Sequence, residues 1–311
     1  MSDRLCEGRV VVITGAGRGV GRGYALEFAR LGAKVVVNDL GGSGDGQGET
    51  SLDPAHGVVQ EIVDAGGEAV ADGHDVADFE GAREMIELAI ERYGQLDVLV
   101  NNAGILRDRT IVNMGIDEWD SVIRVHLRGT FAPTHWAAVH WRERAKANGP
   151  VGARLINTTS SSGLYSNPGQ ANYAAAKAGI ASLTIVASRE LERYGVTANA
   201  VYPTALSRLT EDVFRKAGRL GNGSENEFYD LDPDNVAPLV AWLGSKESDD
   251  VNGRVFGVRG GRIVVANGWT AGPTIDNSAR WDAASLGEVI RPLIADAPAN
   301  AGTNGLVPNS A

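Results

Sequence analysis

Only one cysteine, Cys6, occurs in the 311 residues, so no internal disulfide holds this chain together. Basic residues are scarce relative to acids: 29 Lys and Arg stand against 39 Asp and Glu, a formal net charge of −10. That balance gives nucleic acid no electrostatic footprint and an acidic membrane surface no attraction. No apolar run approaches the roughly 20 residues that cross a bilayer, and the amino terminus shows no charged segment followed by an apolar signal core. The expectation is a cytoplasmic chain with neither nucleic acid nor membrane as a partner. His74, His135 and His140 lack cysteine or acidic partners at metal-ligand spacing, so no metal is expected. The length permits one large α/β domain or two small ones. Glycine, by contrast, is abundant at 40 residues, as a fold with many tight strand-to-helix turns requires.

Those glycines concentrate first in VVVITGAGRGVG, Val10 to Gly21. The β-branched run suits a buried parallel strand, and Gly15, Gly17, Gly19 and Gly21 crowd the turn into a segment, Tyr24 to Leu31, with helical apolar spacing. Strand, glycine turn and helix open a dinucleotide-binding unit, in which free N–H groups at the helix start meet phosphates. A second strand, Ala33 to Val37, leads to Asp39, placed to hydrogen-bond a ribose diol. Further strand-like runs follow at Glu68 to Asp72, Val98 to Asn101, Arg154 to Thr158, Val196 to Tyr202 and Arg254 to Val258, with helical spacers between them. This alternation predicts one α/β domain over 1–268, a doubly wound Rossmann fold with a seven-stranded parallel sheet and helices on both faces. Gly41 to Gly48 carries no lysine and reads as a mobile loop, not a phosphate loop. Asp117 to Ala145 reads as a long helix bent near Gly129 and Pro133, and Gln170 to Tyr194 as another. Residues 269–311 read as an extension with a helix from Asp282 to Ile294 and a disordered end.

The chemistry concentrates in TTSSSGLYSNPGQANYAAAK. Tyr173 and Lys177 stand four apart on a helical segment and share a face. An ammonium beside a phenol favours the phenolate and lowers the tyrosine pKa from about 10 toward a working range. Tyr173 then exchanges a hydroxyl proton while hydride moves at the carbinol carbon. Ser160 follows a strand at its carboxyl end, where open α/β sheets bind ligands, and its hydroxyl can hold the substrate oxygen.

TGxxxGxG at Thr14 to Gly21, NNAG at Asn101 to Gly104, and Ser160 with YxxxK at Tyr173 to Lys177 together resemble the classical short-chain dehydrogenase/reductase family. The resemblance implies that Tyr173 is general acid/base, that Lys177 lowers its pKa and binds nicotinamide ribose, and that Ser160 orients substrate. It also implies a cofactor site made from Gly15, Arg18, Gly19, Val20, Gly21, Asp39, Leu40, Asp75, Val76, Asn102, Ala103, Gly104, Tyr173, Lys177, Pro203 and Thr204, the last replacing a usual glycine. A substrate lid is implied at about 204–232. VVVNDLGG, NNAGILRDR, VHLRG, GQANYAAAK and VAPLVAWL narrow the resemblance to the (3R)-hydroxyacyl-CoA dehydrogenase branch found in multifunctional β-oxidation enzymes. Because the chain ends soon after that match, a stand-alone enzyme on an acyl-CoA or steroid substrate is expected. The alternatives are a 17β-hydroxysteroid or other small-alcohol dehydrogenase, and a cofactor-binding regulatory protein without turnover.

Asp39 would repel a 2′-phosphate, so NAD is expected over NADP although Arg18 lies in the turn. Arg107, Arg109 and Arg208 are candidates for CoA phosphates. Relatives pair the helices corresponding to Asp117–Ala145 and Gln170–Tyr194 across a twofold axis, which implies a homodimer or homotetramer. His126 replaces the asparagine whose main-chain carbonyl relays protons in the family. Its ring then either packs or supplies an extra acceptor with an unperturbed pKa near 6.5.

Overall fold

The computed structural model describes residues 4–46, 48–206, 211 and 228–308. Its centre is a sheet in the order β3-β2-β1-β4-β5-β6-β7-β8. β1 is Val10–Thr14, β2 Lys34–Asn38, β3 Glu68–Asp72, β4 Val98–Asn101, β5 Ala153–Thr158, β6 Val196–Pro203 and β7 Val255–Arg259. These seven pair in parallel. The central strands β1, β4 and β5 are buried at every residue, which is why they read as continuous apolar runs rather than alternating ones. The sequence expectation of seven strands is one short. β8, Arg262–Val265, folds back antiparallel onto β7 through Gly260, whose φ is +52°. It is a four-residue edge strand beginning with arginine and largely solvent-facing, so it carries no buried apolar run to betray it.

Helices cover both faces and make two apolar layers. On one, Tyr24, Phe28 and Ile62 from α1 (Gly19–Arg30) and α2 (Asp53–Asp64) pack with Val11, Ile13 and Val35. On the other, Met85 and Ile86 of α3 (Phe79–Tyr93) and Trp141 of α5 (Gly129–Asn148) pack on Val10, Val12 and Leu99. Trp141 is fully buried, and its Nε1 donates to the Leu96 carbonyl at 2.8 Å, so the largest core side chain leaves no polar atom stranded.

The expected helix Asp117–Ala145 is interrupted earlier than its glycine and proline suggest. α4 (Ile116–Ile123) ends first, a wide π-helical turn runs through Arg124–Arg128, and α5 then includes Pro133 without a break. The extension contains the helix Leu286–Asp296. The glycine loop after Asp39 is anchored: Leu106 N donates to Gly44 O at 3.0 Å and Arg107 Nε to Asp45 O at 2.8 Å. No described helix is long and apolar enough to cross a membrane.

Candidate active site

β5 delivers Thr158, Thr159 and Ser160 to its carboxyl end, and α7 (Ala171–Leu191) runs beside them. Lys177 is 3% exposed and its Nζ donates to the Thr158 carbonyl at 2.6 Å, while Thr159 Oγ1 donates to the Lys177 carbonyl at 2.7 Å. Strand and helix are thus tied in both directions. Burial pushes the Lys177 ammonium down to about 7. Ser160 caps the five-residue helix α6 (Ser161–Tyr165), its Oγ accepting from Ser162 N at 3.1 Å.

Tyr173 stands one turn before Lys177, with the ammonium 5.6 Å from its ring centroid, and the Ser160 hydroxyl lies near enough to favour its phenolate. The structure brings the three expected residues together. The tyrosine pKa does not move in the expected direction in the chain by itself: it is pushed up to about 12, because burial outweighs the Ser160 hydrogen bond and the Asp108 carboxylate adds to the rise. Lys177 favours a phenolate only while it is itself charged, and its own burial opposes that.

A polar network not anticipated from sequence holds Tyr173 in place. Gln170 Nε2 donates to Asp108 Oδ2 at 2.8 Å, and Ser162 Oγ donates to Gln170 Oε1 at 2.7 Å. Asn172 Nδ2 donates to the carbonyls of Arg107 and Glu118, both at 3.0 Å, and its Oδ1 accepts from Tyr173 N at 2.7 Å. The sole signal in the sequence was that these residues flank NNAG and YxxxK. Two further tyrosines, Tyr165 and Tyr202, meet edge-to-face beside this end of β6, their hydroxyls 3.5 Å apart.

His126 sits in the π-helical turn, 2% exposed, its ring edge-on to Tyr173 at 5.1 Å. Its Nε2 lies 2.8 Å from Ile105 O and 3.1 Å from Ile105 N, and its Nδ1 is buried without a hydrogen-bond partner. Burial first, and the Lys177 charge second, push the imidazole down to about 3. At neutral pH it is therefore a neutral ring that packs against Tyr173.

The glycine turn fits a dinucleotide. The first-turn N–H groups of α1 have no side-chain cap, since Arg18, the residue before it, contributes none. Gly15 takes a φ of +63°, and a Cβ there would stand 2.8 Å from the Ala103 Cα, so the floor formed by Asn102, Ala103 and Gly104 comes within contact of the turn. Asn102 Nδ2 donates to the Thr14 and Gly15 carbonyls at 3.0 and 3.1 Å. Asp39, at the carboxyl end of β2, accepts from Gly17 N at 2.9 Å and Gly41 N at 2.7 Å, which fixes its carboxylate beside Leu40 and the turn. Asp75 is ion-paired with Arg124 and caps Ala77 N, with Val76 buried next to it. Pro203 is the last residue of β6, and Thr204 N donates to Val258 O at 2.8 Å.

Other expectations fall away from the centre. Arg107 is bound to Asp45 O, and Arg109 pairs with Glu118 at 3.2 Å. Arg208 and most of the expected lid lie outside the described residues. His74 does have acidic partners in space, Asp72 at 2.7 Å and Glu84 at 2.9 Å. Among the described residues no group of three or more His, Cys, Asp or Glu is arranged to hold a metal.

The chain is similar to known proteins over most of its length. A family model described as short chain dehydrogenase matches residues 9–216. The chain is 47% identical over 266 residues to hydroxyacyl-CoA dehydrogenase ChsB1 of Mycobacterium tuberculosis, covering 84% of this chain and 80% of that one. It is 44% identical to peroxisomal multifunctional enzyme type 2 of Drosophila melanogaster, covering 85% of this chain and 40% of that enzyme. A crystal structure of a short chain dehydrogenase from Mycobacterium avium superposes with a TM-score of 0.85 at 51% identity, covering 96% of this chain and 98% of that one.

The state of His126 has a consequence for stability. The unfolded chain binds a proton there near pH 6.5, whereas the folded chain resists it down to about 3. Stability contributed by the neutral ring is present above pH 6.5 and is lost as pH falls through that window. Denaturant unfolding should show an acid loss on the order of 1–2 kcal/mol between pH 8 and 5 that His126→Asn removes. An equal acid slope in the variant would show that the imidazole is not buried neutral.

Proposed function

The chain belongs to the short-chain dehydrogenase family, and from that premise we propose that it oxidises a (3R)-3-hydroxyacyl-CoA to the 3-ketoacyl-CoA with NAD. The observation that carries the reading is the contact of Ser160, Tyr173 and Lys177 at the carboxyl end of β5. The names of relatives at 44–47% identity support the acyl-CoA class of substrate. A nicotinamide dinucleotide supplies hydride acceptance when bound. Gly15 to Gly21, Asp39, Leu40, Asp75, Val76, Asn102 to Gly104, Pro203 and Thr204 would hold it.

Ser160 Oγ and Tyr173 Oη hold the substrate hydroxyl between two polar groups. Tyr173, as the phenolate that Lys177 stabilises while protonated, takes the hydroxyl proton as the carbinol carbon gives up hydride, and the neutral phenol that results then passes the proton on. Since burial holds the phenol above its ordinary pKa, oxidation requires that it first be deprotonated, and higher pH raises that fraction. In this reading the proton leaves past Lys177, and the main chain at His126 takes part rather than its ring, which burial keeps neutral.

Exposed apolar residues support a homo-oligomer. Ile111, Val112 and Ile116 are 79%, 88% and 70% exposed, and Trp119, Phe131 and Val186 are also exposed. They lie on or near α4, α5 and α7, and burying such a cluster against a second copy removes apolar area from water.

Three tests follow from this chemistry. With 3-hydroxyacyl-CoA and steroid alcohols compared side by side, Tyr173→Phe should abolish turnover and Lys177→Ala should reduce it by roughly 100-fold or more. His126→Asn should be nearly silent, and wild-type kcat/KM for oxidation should climb from pH 6 to 9. Wild-type rates in Tyr173→Phe would overturn the mechanism. For the cofactor, NAD should support faster turnover than NADP at equal concentration, and Asp39→Ser should narrow the gap; a preference for NADP would reject the assignment. Sedimentation velocity should find dimers or tetramers, and a monomer at all concentrations would reject the twofold pairing.

A further inference from the structure

At the amino-terminal ends of the strands, opposite the glycine turn, lies a cavity of about 700 Å³ that the proposed chemistry does not use. Its wall includes Arg9, just before β1, and Arg154, the second residue of β5, which are 4% and 3% exposed. The two guanidiniums are close enough to repel: with burial as the larger cause, Arg9 helps to push Arg154 down to about 10. Neither forms a direct ion pair among the described residues, although the Asp97 carboxylate acts on Arg9 and that of Asp249 on Arg154 from further off, each opposing the fall that burial causes. Arg9 Nη2 donates to the carbonyls of Asp97 and Gly152 at 3.2 and 3.0 Å. Arg154 Nε donates to Ser245 O and its Nη1 to Ala153 O, both at 3.0 Å. Asp97, the one buried acid nearby, is engaged by Val10 N at 2.9 Å, Gln95 Nε2 at 2.7 Å and Arg144 Nη1 at 3.7 Å.

Two buried polar atoms on the same wall make no hydrogen bond: Arg9 Nε and Thr197 Oγ1. Thr197 pairs in register with Arg154 across β5 and β6, so both side chains leave the sheet on one face. Carbonyl dipoles compensate a buried cation only in part, and a counter-charge compensates it more fully. A planar guanidinium fork matches the two oxygens of a carboxylate. The mouth is mainly acidic, with Glu7, Glu192, Asp249 and Asp250 exposed around it against Lys246 and the partly exposed Arg144. Those acids repel a polyanion more than a single negative charge.

We propose that this cavity binds a small monocarboxylate, with its oxygens on Arg9 and Arg154 and the Thr197 hydroxyl as a third donor. The assignment rests on charges at the far end of the sheet and stands whether or not the redox reading does. Sodium acetate is the probe, followed by saturation-transfer NMR on its methyl signal at ionic strength held constant with chloride. The wild-type protein should give a saturable signal that propionate displaces better than an equal concentration of phosphate at pH 8. Thr197→Val keeps the side-chain shape and should weaken acetate roughly tenfold, the effect of losing one hydrogen bond to a charged group. Arg154→Gln should abolish the signal, and Ser160→Ala should leave it intact, which separates this cavity from the oxygen-binding groups at the other end. If circular dichroism shows that Arg154→Gln does not fold, Thr197→Val decides. No saturable signal, phosphate displacing better than propionate, an unchanged affinity in Thr197→Val, a signal that persists in folded Arg154→Gln, or its loss in Ser160→Ala would each overturn the proposal.

Discussion

Everything at the carboxyl end of the sheet depends on burying one ammonium group. Lys177 leaves water almost completely and, among the described residues, keeps a single acceptor, the Thr158 carbonyl at 2.6 Å. A buried lysine loses its charge unless the site restores what solvation gave, and its descent to about 7 shows the restoration to be partial. The return bond from Thr159 to the Lys177 carbonyl fixes the helix to the strand that supplies the acceptor. Close approach is also required: a Cβ on Gly163 would stand 2.6 Å from the backbone of Lys177 and Ala178. That glycine is needed for its missing side chain, because the short helix carrying it passes directly over α7.

The same economy governs the sheet interior. Asn101 Nδ2 donates to Asn157 Oδ1 at 2.9 Å and to Thr134 Oγ1 at 3.0 Å, and Asn157 Nδ2 donates to Thr184 Oγ1 at 2.9 Å. The chain of bonds links β4, β5, α5 and α7 through side chains that are all buried. Polar groups in such a place are costly unless paired, and these pairs favour one register, since sliding either strand by a residue would break them, although Asn101 Oδ1 is itself left without a partner. The ends of the strands, and so the positions of Ser160 and Asn102, inherit their precision from this network.

Legibility in the sequence followed the range of the interaction. The runs Val10–Thr14 and Val98–Asn101 coincide with strands because a buried parallel strand must be largely apolar, whatever surrounds it, whereas Glu68–Asp72 coincides with a half-buried edge strand that begins and ends in an acid. Tyr173 and Lys177 were legible because helical spacing alone puts them on one face. β8 escaped because an edge strand needs only hydrogen bonds to its neighbour and can present charge to water. The contact of Asp108 with Gln170 escaped for a different reason, being long-range and polar: no periodicity links residues 62 positions apart. The direction of the Tyr173 shift was misjudged on the same ground, as a neighbouring charge can be read from spacing whereas the extent of desolvation cannot.

The π-helical turn connects these threads. An α-helix running unbroken from Ile116 to Asn148 would fix the angular positions of all its side chains by the 3.6-residue period. Widening the turn over Arg124–Arg128 resets that phase between α4 and α5. α4 can then pack on α7 through Glu118 O and Asn172, while α5 lays Trp141 on the sheet. The residue inside the reset, His126, is left facing Ile105 and Tyr173, and a Cβ on Gly104 would collide with its ring at 2.3 Å. Gly104 is thus required by the imidazole, and the imidazole by the space beside Tyr173. Because an aromatic ring held neutral by burial fills that space, Lys177 is the only cation beside the phenol among the described residues, and in the proposed chemistry the tyrosine answers to one ammonium rather than to two titrating bases.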